Sequence, residues 1–353
     1  MPFMKDIVVL GSTGSIGKQT LDVAAFQGYR VRAISACRSV RLAEEQIRRF
    51  HPVYCAMADE QAAKDLQTRV LDTDTKILSG NEGVCALPGL VECDAVVNAV
   101  VGRAGLLPTM ATLEAGRRLA LANKESLVCA GALVKRKALE KSCPVLPVDS
   151  EHSAVFQCLQ CGKKEEVSRI LLTASGGPFF GRTKEELSGV SAKDALAHPT
   201  WSMGAKITVD SATLMNKGFE VMEASYLFDV PADRIEVLVH RESVVHSMVE
   251  YCDSTVIAQL SLPDMRDCIQ YALTYPHRVK GPMSRLDLTK IGKLTFCPPD
   301  TRTFPLLSLA LWAMKEGGLA GAVLNGANEG AVALFLEGRI SFLQISELVE
   351  KVT

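Results

Sequence analysis

Ile7-Val-Val-Leu10-Gly11-Ser-Thr-Gly14-Ser-Ile-Gly17 sets the architecture of the N-terminal part of the chain. Ile7–Leu10 is a short, β-rich apolar run, a glycine-rich turn with G-x-x-G-x-x-G spacing follows it, and Lys18 to Ala25 reads as a helix. In a strand–turn–helix unit of this kind, backbone N–H groups and the positive end of the helix gather around a pyrophosphate. The spacing departs from the commoner G-x-G-x-x-G, so a plain tight turn is the competing reading of the motif in isolation. A second strand, Tyr29–Ser35, arrives at about the right distance and leads into Cys37-Arg38-Ser39. No carboxylate stands there to hold a ribose 2′-hydroxyl, whereas an arginine beside a serine suits a 2′-phosphate, so the predicted cofactor is NADP.

Beyond this unit, residues 1–150 alternate helical and strand patterns, as a parallel sheet requires. Arg41–Phe50 and Leu106–Ala115 read as helices, and Ala95–Val101 as a buried strand. Arg118–Ala122 is a strand that exits into Asn123-Lys124-Glu125-Ser126. Pro144–Val148 is another, exiting into Asp149-Ser150-Glu151-His152. Ligands of open α/β sheets bind at the carboxyl ends of strands, which puts Asn123, Lys124, Asp149 and Glu151 on one rim. Two carboxylates two residues apart can aim at one point, and Glu220 offers a third from an otherwise apolar helix. Hard divalent cations such as Mg²⁺ and Mn²⁺ take such oxygen ligands. Taken without their neighbours, these acids would read as solvated charge.

After Glu151 the pattern changes. Ser168–Thr173 is a strand ending in Ala174-Ser175-Gly176-Gly177-Pro178. The polar stretch from Gly177 to Gly204 has the composition of an active-site lid, with His198 and Trp201 as its exceptions. Asp210-Ser211-Ala-Thr213 is read as a helix start, with Ser211 offering either its cap or a ligand group. Asn216 and Glu220 then share a helix face. Ile235–Val239, Ser247–Tyr251 and Val256–Leu260 read as strands of a largely antiparallel sheet, with a hairpin turn at Asp253-Ser254. The expected architecture is α/β: a Rossmann-like NADP-binding domain over 1–150, an α+β catalytic and dimerisation domain over 151–275 with a lid at 177–204, a linker at 276–300, and a small helical domain over 301–353.

Composition narrows the function classes. A chain of 353 residues exceeds what one core usually serves, and a net charge of −1 gives no electrostatic case for nucleic acid or a membrane surface. No uncharged apolar run approaches the ~18 residues a spanning helix needs. Met1–Asp6 enters a strand without a signal-like apolar stretch. Eleven scattered cysteines point to reduced thiols in a cytoplasm. Cys158-Leu-Gln-Cys161 lacks a second pair, which weighs against zinc or redox chemistry.

The motifs Gly11–Gly17, Leu121–Ser126, Pro147–His152, Ser175–Pro178, His198–Gly204 and Val209–Gly218, in this order, resemble those of the 1-deoxy-D-xylulose 5-phosphate reductoisomerase family. The resemblance runs over nearly the whole chain. It implies reduction and isomerisation of 1-deoxy-D-xylulose 5-phosphate to 2-C-methyl-D-erythritol 4-phosphate, a step towards isoprenoids by the non-mevalonate route. It also implies NADPH, Mn²⁺ or Mg²⁺, and a homodimer. By the same resemblance, Asp149, Glu151 and Glu220 hold the metal. Ser150 and Lys124 touch the reacting end of the sugar phosphate, and Ser175, His198, Ser211, Asn216 and Lys217 hold its phosphate and backbone. Thr13, Gly14, Ser15, Ile16, Cys37, Arg38, Ser39, Asn123, Glu125 and Gly204 line the NADPH. Trp201 is expected to cover the substrate when the lid closes.

A ketose phosphate presents adjacent carbonyl and hydroxyl oxygens, which a Lewis acid polarises together; Lys124 or a carboxylate moves the protons. Two departures from the family pattern stand out. Cys37-Arg38-Ser39 replaces a glycine, a basic residue and an asparagine, and the chain ends at Thr353 where relatives continue for several helical turns. The rival readings are an NADP dehydrogenase of semialdehyde or homoserine type, which has no use for the three acids, and a non-enzymatic NADP sensor, which would not retain them.

Overall fold

The computed structural model describes residues 5–201 and 203–353. Met1–Met4, read above as the lead into the first strand, and Ser202 of the His198–Gly204 motif lie outside the described residues. The chain divides into two compact units: residues 1–126, 132–149 and 264–283 form the first, and 127–131, 150–263 and 284–353 the second.

The first unit is built on β1 (Asp6–Leu10), β2 (Arg30–Ala36), β3 (Tyr54–Met57), β4 (Lys76–Ser79), β5 (Ala95–Asn98), β6 (Leu119–Leu121) and β7 (Val145–Pro147). These make one parallel sheet in the order β4-β3-β2-β1-β5-β6-β7. Strand order reverses between β1 and β5, the place where doubly wound sheets open a crevice. Ile7 to Leu10 and Ala95 to Asn98 are fully buried, as strands covered on both faces must be. Their register pairs Leu10 with Asn98, so the chain leaves both strands at one level. Gly11 follows there at φ +80°, and a Cβ on it would lie 2.6 Å from the Ala99 carbonyl oxygen. A Cβ on Gly17 would fall 2.2 Å from the Gly11 oxygen, so these two glycines let the helix Ser15–Gln27 begin directly against the strand end. The helix Met265–Thr274 returns to this unit and packs on the helix Ser15–Gln27 and on β6 and β7.

The second unit carries β8 (Val167–Ala174), β9 (Ile235–Val239), β10 (Val245–Tyr251) and β11 (Val256–Leu260) in the order β11-β10-β8-β9. The β10 pairings with β8 and β11 are antiparallel, and Asp253-Ser254 turns the hairpin as expected, with Ser254 at φ +68°. β9 lies parallel to β8, so residues 175–234 form a crossover connection rather than a hairpin. That connection contains the segment to Gly204 and the helices Ala205–Ala212 and Met215–Phe228. The second helix runs through the centre of the unit, with Met215 and every residue from Lys217 to Ala224 buried. It packs so closely on the helix Leu306–Glu316 that a Cβ on Gly218 would lie 2.4 Å from that of Ala310. Residues 301–353 therefore share one core with the sheet, through Phe304, Leu306, Ala310, Phe335, Phe342 and Ile345 among others. Among the described residues no helix is long and apolar enough to cross a membrane. None of the eleven cysteines, Cys158 and Cys161 included, is in a disulfide.

Candidate active site

At the carboxyl end of β1, Thr13, Gly14, Ser15 and Ile16 form the turn and first helical residues, with Gly14 and Ser15 exposed. Ser12 is buried instead, its hydroxyl 2.6 Å from Gln46 Oε1 and its N–H on the Ser35 carbonyl. It holds the turn against β2. The first N–H groups of the helix Ser15–Gln27 thus open outward where an anion can meet them. Cys37, Arg38 and Ser39 are exposed at the end of the neighbouring β2. Arg38 Nε donates to Asp59 Oδ2 at 2.9 Å, and Asp59 also caps the helix Glu60–Arg69 by accepting from Ala62 N–H. The Ala62 N–H and the Arg38 guanidinium hold the Asp59 carboxyl below its usual range. This acid was absent from the sequence argument because it sits on β3's exit, not β2's.

Asn123 and Glu125 follow β6 and are buried. Asn123 Nδ2 reaches the Val100 and Gly102 carbonyls and Glu125 Oε2, while its Oδ1 accepts from Ser126 N–H. A Cβ on Gly105 would sit 2.3 Å from Asn123 Cγ. These bonds brace the loops after β5 and β6. Lys124, also buried, places its ammonium 2.6 Å from Asp149 Oδ2, so the exits of β6 and β7 are joined by a charge pair.

Ser150 and Glu151 open the helix Ser150–Cys158 of the second unit, with the Ser150 hydroxyl on Glu151 Oε2. Lys217 Nζ donates to Glu151 Oε1 at 2.8 Å, to Glu220 Oε2 and to the Thr173 carbonyl. Asn216 Nδ2 donates to the other Glu220 oxygen. Burial works against a charge on Lys217, yet the two carboxylates hold its pKa above the ordinary lysine value. The buried Glu220 and the partly buried Glu151 share one ammonium and so form an all-oxygen donor set around a cation. Carboxylate oxygens of this kind would suit a hard divalent ion.

Ser175 follows β8, and its hydroxyl meets His198 Nε2 at 3.0 Å. His198 Nδ1 accepts from the N–H groups of Thr200 and Trp201, which places the ring proton on Nε2, as the donor to Ser175. Burial, and then the nearby Arg241, push the His198 pKa down to about 4, so the ring is neutral near pH 7. Gly176 and Gly177 follow at φ +77° and +67°, and a Cβ on Gly177 would lie 2.6 Å from the Ser211 carbonyl oxygen. Ser211 belongs to the last turn of the helix Ala205–Ala212, so the expected capping role is wrong; Gly204, exposed, occupies the cap position instead. The break between the two helices is Leu214 at φ +62°. Phe179, Leu187 and Ala195 are buried in the core, which anchors the earlier part of 177–204. Trp201 is only partly buried, its ring tilted against His246 at 6.2 Å.

Sequence reasoning missed Arg241, His246 and the buried His152–Glu223 pair, whose His152 Nε2 lies 2.8 Å from the Glu220 carbonyl oxygen. His152 was legible as part of a motif; nothing in the His240–Ser243 turn marked Arg241 as a partner of Ser175.

A doubly wound sheet with a glycine turn at its switch point, joined in one chain to a carboxylate-bearing catalytic unit, defines an NADP-dependent oxidoreductase. Three family models match in succession: 1-deoxy-D-xylulose 5-phosphate reductoisomerase over residues 7–131, its C-terminal domain over 145–228, and the DXP reductoisomerase C-terminal domain over 260–353. The chain belongs to the 1-deoxy-D-xylulose 5-phosphate reductoisomerase family. It is 54% identical over 346 residues to the reductoisomerase of Acetivibrio thermocellus, covering 98% of this chain and 91% of that one. To that of Clostridium botulinum Loch Maree it is 53% identical over 352 residues, covering 99% and 91%. Among solved structures, the Zymomonas mobilis enzyme in complex with NADPH superposes with a TM-score of 0.92 at 41% identity, over 98% of this chain and 90% of that one. A DOX-P reductoisomerase in complex with NADPH, fosmidomycin and magnesium gives 0.95 at 41%, over 99% and 88%.

Proposed function

We propose that this chain converts 1-deoxy-D-xylulose 5-phosphate to 2-C-methyl-D-erythritol 4-phosphate with NADPH and Mg²⁺ or Mn²⁺. The observation that carries the reading is the convergence of Glu151 and Glu220 on the Lys217 ammonium, a partly buried acid cluster that a dehydrogenase without a metal would not need. Asp149, which precedes Ser150 directly in the chain, completes the metal-binding set. When bound, the divalent cation supplies Lewis-acid polarisation of neighbouring substrate oxygens. NADPH supplies the hydride and rests on Thr13–Ile16, Cys37–Ser39, Asn123, Glu125 and Gly204.

The remaining roles fall to side chains. Ser150 and Lys124 orient the reacting end of the sugar, and Lys124, charge-paired with Asp149, holds or moves a proton there. Ser175, Ser211, Asn216, Lys217 and the His198 Nε2–H meet the phosphate and its carbon chain. Residues 196–204, beyond the anchoring Ala195, close over the substrate with Trp201. The protein works as a cytoplasmic homodimer, with the sheet of the second unit at the interface; sedimentation as a monomer at micromolar concentration would refute the dimer.

The decisive assay follows NADPH oxidation with 1-deoxy-D-xylulose 5-phosphate in enzyme stripped by chelator. Turnover that requires added Mn²⁺ or Mg²⁺ is expected. Turnover of homoserine or a semialdehyde, with none of the deoxyketose phosphate, would refute the reading.

A further inference from the structure

The proposed phosphate subsite has one cation of its own, Lys217, for a ligand of higher charge. A phosphate ester carries close to two negative charges near pH 7. Ser175, Ser211 and Asn216 are uncharged, and His198 is a neutral donor. Lys217 is shared between Glu151 and Glu220. Behind the Ser175 turn stands Arg241, on the loop between β9 and β10. Its Nη1 donates to the Ser175 carbonyl at 2.8 Å and to the Gly177 carbonyl at 2.7 Å. Its guanidinium lies 5.1 Å from the Phe180 ring centroid. The neighbouring Glu242 is occupied by Thr295, through both its N–H and its hydroxyl.

We propose that Arg241 is a positioning residue for the phosphate subsite, fixing the Ser175–Gly177 turn from behind and placing a positive charge against it. The inference rests on the sugar-phosphate reading above and deepens it. Two consecutive glycines with positive φ leave this turn little intrinsic preference for one conformation. Arg241 removes that freedom from one side, and the close approach of Gly177 to the Ser211 carbonyl removes it from the other. Both carbonyl dipoles are drawn towards the guanidinium, so their negative ends do not oppose an incoming anion. The Ser175 hydroxyl is left with His198 Nε2–H and Gly177 N–H around it, the arrangement of an oxygen whose own proton is available to a phosphate. Arg241 touches no reacting atom in this scheme; it acts through Ser175 and through its charge.

The test compares Arg241→Gln, Arg241→Lys and Ser175→Ala with the wild type. Readouts are kcat, the KM for 1-deoxy-D-xylulose 5-phosphate, the KM for NADPH, inhibition by inorganic phosphate, and a thermal melt. Arg241→Gln is expected to raise the sugar-phosphate KM and the phosphate inhibition constant together by about tenfold, the scale of one charged hydrogen-bonding group. The KM for NADPH should stay unchanged and kcat should fall by less than the KM rises. Arg241→Lys, which keeps the charge without the two-point grip, should recover part of the loss; it carries the test alone if the glutamine variant does not fold. A rise in sugar-phosphate KM for Ser175→Ala, with neither arginine variant moving it, would overturn the role of Arg241 alone. Parallel loss of kcat and both KM values with a lowered melt would reduce Arg241 to a folding residue. Absence of any effect of Ser175→Ala on phosphate inhibition would instead overturn the sugar-phosphate reading, and the role of Arg241 with it.

Discussion

Glu151 Oε1 lies 2.8 Å from Lys217 Nζ, and the same ammonium donates to Glu220, three residues further along its own helix. A cation is thus built into the second unit's acid cluster before any metal is considered. Glu220→Gln keeps an oxygen for Lys217 but removes half of the negative charge that the ammonium faces. Metal-dependent turnover is expected to disappear while NADPH binding, measured by fluorescence titration, survives. Full activity in this variant would remove Glu220 from the metal set.

Arg38 shares its guanidinium with Asp59, on an exposed surface where such pairs contribute little. The arginine can exchange Asp59 for a 2′-phosphate at small cost. Arg38→Ala should weaken NADPH much more than NADH in a binding titration. Asp59→Ala should instead lower the melting temperature slightly through the lost helix cap, with cofactor preference kept. Equal weakening of both cofactors in the arginine variant would end its assignment to the 2′-phosphate.

Trp201 is partly buried, so its removal should leave the fold nearly intact. Trp201→Ala is expected to raise the sugar-phosphate KM and lower kcat, with a melting temperature close to that of the wild type. Unchanged kinetics with a clearly lower melt would make the ring a packing residue and leave the closing segment without its cover.

Acid should loosen the same region. The His198 pKa of about 4 in the folded chain lies below its ordinary 6.5, so the unfolded chain binds the proton more readily. The stabilisation from the neutral ring is fully present above about pH 6.5 and is lost as pH falls through about 4. Protonation puts a hydrogen on Nδ1, where Thr200 and Trp201 now donate. An NMR titration of the imidazole should give a midpoint near 4, with faster amide exchange at Thr200 and Trp201 below it. A midpoint near 6.5 would show that the ring is not held in this way.

Much of the first unit was legible because its signals are local. The apolar runs read as β1 and β6 survive as strands within a residue, while the β5 run stops at Asn98, three residues short of the expected Val101. The second unit was harder to read. Asp210-Ser211 looks like a helix start because a capping residue precedes an apolar run, whereas the actual break is Leu214 in a left-handed conformation that leaves no compositional mark. The amphipathic pattern of Met265–Thr274 announces a buried face without naming its partner, so its return to the first unit was invisible. The Arg241 grip on the Ser175 turn links positions sixty-six apart through backbone carbonyls, and no side-chain pattern records such a bond.

β8 and β9 lie side by side and parallel, and Ser175, His198, Trp201, Ser211, Asn216, Lys217 and Glu220 all fall on the single excursion between them. Most of the groups proposed to face the substrate would therefore form a cassette, entered and left through adjacent strands. A nick in the exposed stretch Arg182–Glu186 would leave each fragment tethered by its own strand, so the cut halves should stay together. By the same logic, the whole excursion could be exchanged between relatives as one piece, carrying its specificity with it while the sheet beneath stays unaltered.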